Sequence, residues 1–277
     1  MQRVRGFILV VSIGLLVPSV AFGWAGEGHR IVALIAAREL TPAARASVQS
    51  LLGPGDVASV MANASVWADS IKRQRPETRP WHYVDIEIET RGYERARDCP
   101  GDDCIVEQIH HEIRILRDRQ LLSPVRAEAL RFLIHFIGDL HQPLHCADHH
   151  DRGGNEIRIV LRRHHTNLHA IWDGDVVRAL GRNPSRVAAA LIDQMNRQDI
   201  SHWQRGTIEN WATETFSVAK QNVYPDFAGG SSTNGFIVLS PDYPARQRIL
   251  VQRQLEKAGA RLAIILNQVF ASSGPGH

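Results

Sequence analysis

Phe132-Leu133-Ile134-His135-Phe136-Ile137-Gly138-Asp139-Leu140-His141-Gln142-Pro143-Leu144-His145 is the stretch on which the reading of this chain turns. It sets three imidazoles and one carboxylate inside an otherwise apolar run. His135 and Asp139 are four residues apart, so on a helix they project from the same face. A carboxylate on an apolar face is costly to bury unless something positive sits opposite it. A divalent metal ion meets that need, and so would one neighbouring His or Arg. Recurrence favours the metal: Asn167-Leu168-His169-Ala170-Ile171-Trp172-Asp173 repeats the His-x-x-x-Asp spacing.

Further ligands lie outward from there. Trp67-Ala68-Asp69 and Trp81-His82-Tyr83-Val84-Asp85 add carboxylates and an imidazole beside tryptophans, and His29 stands near the start of the chain. Imidazole nitrogen and carboxylate oxygen are the donors that Zn²⁺ takes, usually four per ion.

The first residues read as a signal peptide over residues 1–23. Arg3 and Arg5 precede an apolar run from Phe7 to Phe22 that is short for a membrane span and ends Ala21-Phe22-Gly23. Cleavage after Gly23 makes Trp24 the new N-terminus, its free amine a competent metal ligand. The expected location is secreted or periplasmic, with no membrane span. Loss of the leader lowers the formal charge from +3 to +1, so net charge argues neither for nor against a nucleic-acid partner. In an exported chain Cys99 and Cys104 read as a small disulfide-closed loop, and Cys146 as a buried, inert thiol.

The pattern is helical almost throughout. Apolar residues recur at helical spacing from His29 to Leu40; Thr41-Pro42 begins the next helix and Gly53-Pro54-Gly55 stops it. Ile105, Ile109, Ile113 and Leu116 stripe another helix, and Ser123-Pro124 opens the one carrying His135 and Asp139. Amphipathic stretches follow around Val187–Met195 and Ile208–Ala219, and a last helix runs from about Ala245 to Phe270. Trp81 to Ile88 and Glu156 to Leu161 look extended, and Pro225 to Pro241 reads as a Gly/Ser-rich loop. The expected class is mainly α, one multi-helix domain over residues 24–277 with a minor β-ribbon.

These blocks, with Trp24-x-x-x-Gly28-His29 and Gly153-Gly154-Asn155, resemble the three-zinc, single-strand-specific nucleases of the S-one/P-one type, whose fold is related to zinc-dependent phospholipase C. The resemblance is ordered along the chain and covers essentially all of the mature sequence. It implies three Zn²⁺ per chain. Asp69, His82, His135 and Asp139 would hold the first, and Trp24, His29 and a shared Asp139 the second. His145, His169 and Asp173 would hold the third, with a position left open. It also implies catalytic roles for Asp69, Lys72, Asp85 and Asp139, and substrate contacts from Lys72, Tyr83, Asp85 and Asn167. Lys72 would meet phosphate charge where many relatives carry arginine, and Tyr83 would stack on a base.

The function so implied is endonucleolytic hydrolysis of single-stranded DNA and RNA to 5′-phosphorylated products, with 3′-nucleotidase activity on 3′-mononucleotides. The chemistry would be in-line attack of metal-activated water on phosphorus, with the third ion at the departing 3′-oxygen. No protein partner is implied, and a monomer suffices. Two alternatives stand beside it: a zinc-dependent phospholipase C, and a secreted binding protein whose zincs are purely structural. The short spacing from Trp24 to His29 and the aspartate at position 173 favour the nuclease over the lipase. His110, His111, His149, His150, His164 and His165 read as solvated, and His141 as a residue that could orient a ligand.

Overall fold

Ser123–Asp139 becomes apolar on every side from Phe132 onward, and residues 132–139 are all buried. A helix with no polar face has to lie inside. It packs against the helices Ile105–Arg117, Pro42–Leu52 and Gly26–Arg38. Gly26–Arg38 in turn lies against Val57–Ala64, Pro184–Gln194 and the long terminal helix Arg248–Val269. Its crossing with the terminal helix depends on Gly259, where a Cβ would lie 2.4 Å from Ile35 Cγ2. The computed structural model describes residues 24–227, 232–233 and 235–271; the expected leader falls outside them.

Helix boundaries follow local chemistry. The Thr41 side chain accepts from the Ala44 N–H, with Pro42 in the first helical position. That helix ends at Leu52 because Gly53 takes φ 104°, which other residues reach only under strain. Thr207 and Asn210 form a reciprocal capping box at the start of Ile208–Val218. Cys99 and Cys104 are joined in a disulfide.

The β structure differs from the simple ribbon expected. β1 (Arg158–Leu161) and β2 (His164–Asn167) do form a hairpin. The segment read as a Gly/Ser-rich loop, however, contributes β3 (Ser232–Thr233) and β4 (Phe236–Leu239), giving the order β2-β1-β4-β3. β4 runs parallel to β1 with Ile159 beside Ile237, a pairing between residues far apart in sequence. The second departure is Trp81 to Ile88. Trp81 and His82 close the 3₁₀ turn Pro76–His82, where Pro80 has no N–H to give a ladder. The residues after them run beside 145–148, linked by Val84 N–H to His145 O and Asp148 N–H to Ile86 O, without joining the sheet.

Mainly α with a small mixed sheet is therefore the class. No helix among the described residues is long and apolar enough to cross a membrane.

Candidate metal centre

The buried end of Ser123–Asp139 brings two side chains to one point. Asp139 Oδ2 lies 3.0 Å from His135 Nε2 and 2.8 Å from His82 Nδ1. Asp69 Oδ1 stands 3.5 Å from His135 Nε2 and 4.0 Å from His82 Nδ1. The other Asp139 oxygen, Oδ1, faces His29 Nε2 at 3.3 Å. One carboxylate thus offers an oxygen to each of two neighbouring groups. His29 stacks on His135 at 3.8 Å between ring centroids. Gly138 permits this closeness, because a Cβ there would sit 2.7 Å from His29 Nδ1. Trp24, the expected N-terminal ligand, is fully buried, and the next residue's N–H donates to the Asp173 carbonyl at 2.7 Å.

A further group forms where the chain turns past Pro143. His145, His169 and Asp173 converge with donor atoms near one another. His145 Nδ1 donates to His82 O, and His169 Nδ1 donates to Gly153 O, each at 2.7 Å. A neutral imidazole has only one N–H, so both Nε2 atoms present lone pairs, and they face each other at 3.1 Å. Two lone pairs at that distance repel unless a cation lies between them. Nitrogens on a tetrahedral Zn²⁺ would be roughly 3.3 Å apart. The first group gives the same indication: His29 Nε2 and Asp139 Oδ1 are fully buried and stand 3.3 Å apart, yet neither makes a hydrogen bond. The donor sets fit metal ions.

The electrostatics of the protein groups agree. Burial pushes His82 and His169 down to about 3, and lowers His29 and His145 as well. All four are therefore neutral near pH 7 and able to ligate. His135 moves the other way: burial opposes its charge, but the carboxylates of Asp139 and Asp69 outweigh it. Burial likewise opposes the Asp139 carboxylate, yet His135, His145 and His29 hold it well below the ordinary range. Asp173 is pushed well above that range by burial. The two carboxylates thus favour positive charge at the point where His135 meets Asp139.

Of the expected substrate residues, Lys72 touches this centre, while Tyr83, Asp85 and Asn167 lie within three residues of His82 or His169 in sequence. Lys72 Nζ pairs with Asp69 Oδ1 at 2.6 Å in a nearly buried setting. Asp85 is pushed up to about 6 by desolvation and by the carboxylate of Asp148. Tyr83 is 40% exposed. Asn167 uses Oδ1 to cap Leu168–Ala170, accepting from Ala170 N–H.

Gln142 was present in the opening stretch but carried no assigned role. Its Nε2 donates to Asp173 Oδ1 at 2.7 Å while its Oε1 accepts from Leu144 N–H, fixing the carboxylate's orientation. A buried polar residue between two ligand positions was the available signal. His141 does not orient a ligand: Nδ1 donates to Ile137 O and Nε2 accepts from Arg261 at 2.9 Å. The histidines read as solvated join no candidate metal group among the described residues. Cys146 is buried and turns its thiol to the Leu140 carbonyl.

The family model described as S1/P1 Nuclease matches residues 24–271. Endonuclease 4 of Arabidopsis thaliana is 31% identical, with 93% of this chain and 92% of the relative covered. Nuclease S1 of Aspergillus oryzae is 30% identical, with 92% and 94% covered. Nuclease P1 of Penicillium citrinum is 29% identical, with 90% and 98% covered.

Proposed function

The chain belongs to the S1/P1 nuclease family, a hydrolase of phosphoric ester bonds, and from that premise we propose that it cleaves single-stranded DNA and RNA endonucleolytically. The products carry 5′-phosphates, and 3′-mononucleotides are substrates too. The observation that carries the metal-dependent chemistry is the pair of facing lone pairs on His145 and His169.

Three Zn²⁺ fit the donor groups. Asp69, His82, His135 and Asp139 would hold the first; His29, the Trp24 amine and Asp139 would hold the second; His145, His169 and Asp173 would hold the third. When bound, such ions supply activated water and neutralise charge on phosphate. The chain's own residues do the rest. Asp139 turns Oδ1 to His29 and Oδ2 to His82 and His135, so its one carboxylate would serve both ions of the pair. Lys72, held by Asp69, offers a cation to the non-bridging phosphate oxygens. Asp85, with its carboxyl near 6, can hold or release a proton close to neutral pH. Tyr83 offers a stacking face that accepts any base and needs it unpaired. Export supplies the Trp24 amine, so the working form begins at Trp24 and is secreted or periplasmic, and monomeric.

The test sets mature protein against single-stranded DNA, RNA, duplex DNA, a 3′-mononucleotide and phosphatidylcholine in parallel. Rapid loss of the single strands with little loss of duplex or lipid is expected. Lipid hydrolysis with intact nucleic acid would overturn the reading. Elemental analysis should return three zincs per chain, and a residue added before Trp24 should lower that number.

A further inference from the structure

The small sheet turns one face inward and leaves the other in solvent. Ile159 and Leu161 of β1 are buried, so Arg158 and Val160 point outward. The register carries that outer face across the sheet. In β2, His165 lies opposite Val160 and Asn167 opposite Arg158; in β4, Val238 pairs with Val160, and Phe236, two residues before it, shares its side.

Large side chains meet on this face. The His165 and Phe236 rings make an edge contact with centroids 4.7 Å apart. The Arg158 guanidinium stands 5.7 Å from the Phe236 ring centre. Val238 is 60% exposed. At the hairpin turn, Arg162 spends two nitrogens on the Pro241 carbonyl, while Arg163 is exposed and makes no ion pair among the described residues. No strand residue of β1, β2 or β4 is acidic. Direction matters most: β2 runs from the hairpin turn through Asn167 straight into His169, a member of the candidate metal centre.

We propose that this outer sheet face is the track for a single nucleic-acid strand on its way to or from the metal centre, a proposal that rests on the nuclease reading above. The His165 and Phe236 rings receive bases by stacking, and Arg158 and Arg163 receive phosphates. Four strand residues span roughly 13 Å, enough for about two nucleotides beyond the scissile one. A duplex keeps its base faces stacked on one another and cannot use the rings, so the track adds to discrimination for unpaired strands.

The experiment compares a dinucleotide, too short to reach the track, with a single-stranded 12-mer, using zinc-loaded mature protein. Phe236→Ala and Arg163→Ala should each raise KM for the 12-mer by roughly tenfold, with kcat and KM for the dinucleotide unchanged. Phe236→Trp keeps a stacking surface and should restore the 12-mer KM. An unchanged 12-mer KM in both Ala variants overturns the track, as does a parallel loss on both substrates. A wild type that cleaves neither substrate refutes the nuclease reading itself. A wild type that sediments as a dimer, with Val238→Lys turning it into a monomer, assigns the face to a second copy and also overturns the proposal.

Discussion

Asparagine keeps the shape of Asp139 and removes its charge, so Asp139→Asn isolates the bridging role. The carboxylate divides its oxygens, Oδ1 at 3.3 Å from His29 Nε2 and Oδ2 at 2.8 and 3.0 Å from His82 and His135. An amide has one oxygen and no charge, so one ion would lose its oxygen ligand outright and the other would lose its anionic one. The variant should therefore lose two ions and keep the one held by His145, His169 and Asp173. An ion present at a thousand times its Kd stabilises the fold by about 4.1 kcal/mol, so two lost ions remove about 8 kcal/mol. At about 2–4 °C per kcal/mol for a domain near this size, the melting temperature should fall by roughly 15–30 °C. Elemental analysis after gel filtration gives the stoichiometry, and calorimetry in the same buffer gives the shift. A variant that loses one ion and keeps two refutes the bridge; so does one whose melting temperature equals that of the wild type.

Gln142→Ala removes the 2.7 Å bond to Asp173 and should weaken one ion of three by roughly 10–100-fold, read by competition with a zinc chelator; three equal affinities before and after would refute this. Gly138→Ala raises helix propensity by about 1 kcal/mol, yet its Cβ would lie 2.7 Å from His29 Nδ1. Loss of the ion next to His29 is expected, and a fully loaded, more stable protein is the contrary result. His141, pushed down to about 3 by burial and then by Arg261, stays neutral in the fold but takes a proton in the unfolded chain below about pH 6.5. Its contribution is complete above that pH and drains as pH falls toward 3, by at most about 1.4 kcal/mol per pH unit. Urea unfolding of zinc-free protein between pH 7 and 5 should show a shallower acid slope for His141→Gln than for wild type, and equal slopes would exclude this role.

The candidate ligands were legible because their chemistry is local. A His and an Asp four apart must share a helix face, and an apolar run around them must be buried, so residues 135, 139, 169 and 173 declared themselves. Ser123–Asp139 and Ile105–Arg117 were legible for the same reason, since periodicity is a property of one segment. What stayed hidden was settled by distant partners. β4 exists because Ile237 meets Ile159 across the sheet, and the flanking glycines and serines disguise a β-branched run. His141 looked like a ligand's neighbour because its sequence position is adjacent to Asp139, but its ring partner is Arg261, 120 residues on. The carbonyls of Ser65, His82 and Gly153, which fix three imidazole tautomers, carry no side-chain signature at all.

Those carbonyls also tie the three groups into one device. His82 presents its ring to Asp139 and its backbone oxygen to His145 Nδ1, so moving one group moves the next. Asp139 Oδ1 lies 3.6 Å from that same His145 nitrogen. On the far side, the Asp173 carbonyl accepts from Ala25 N–H, which stitches the segment after Trp24 to the His145 group. Ordering any one group therefore prepays part of the conformational cost of ordering the others. Metal uptake should then be cooperative rather than stepwise. The step that frees the Trp24 amine would act on the whole centre, because the residue after Trp24 is already anchored to Asp173.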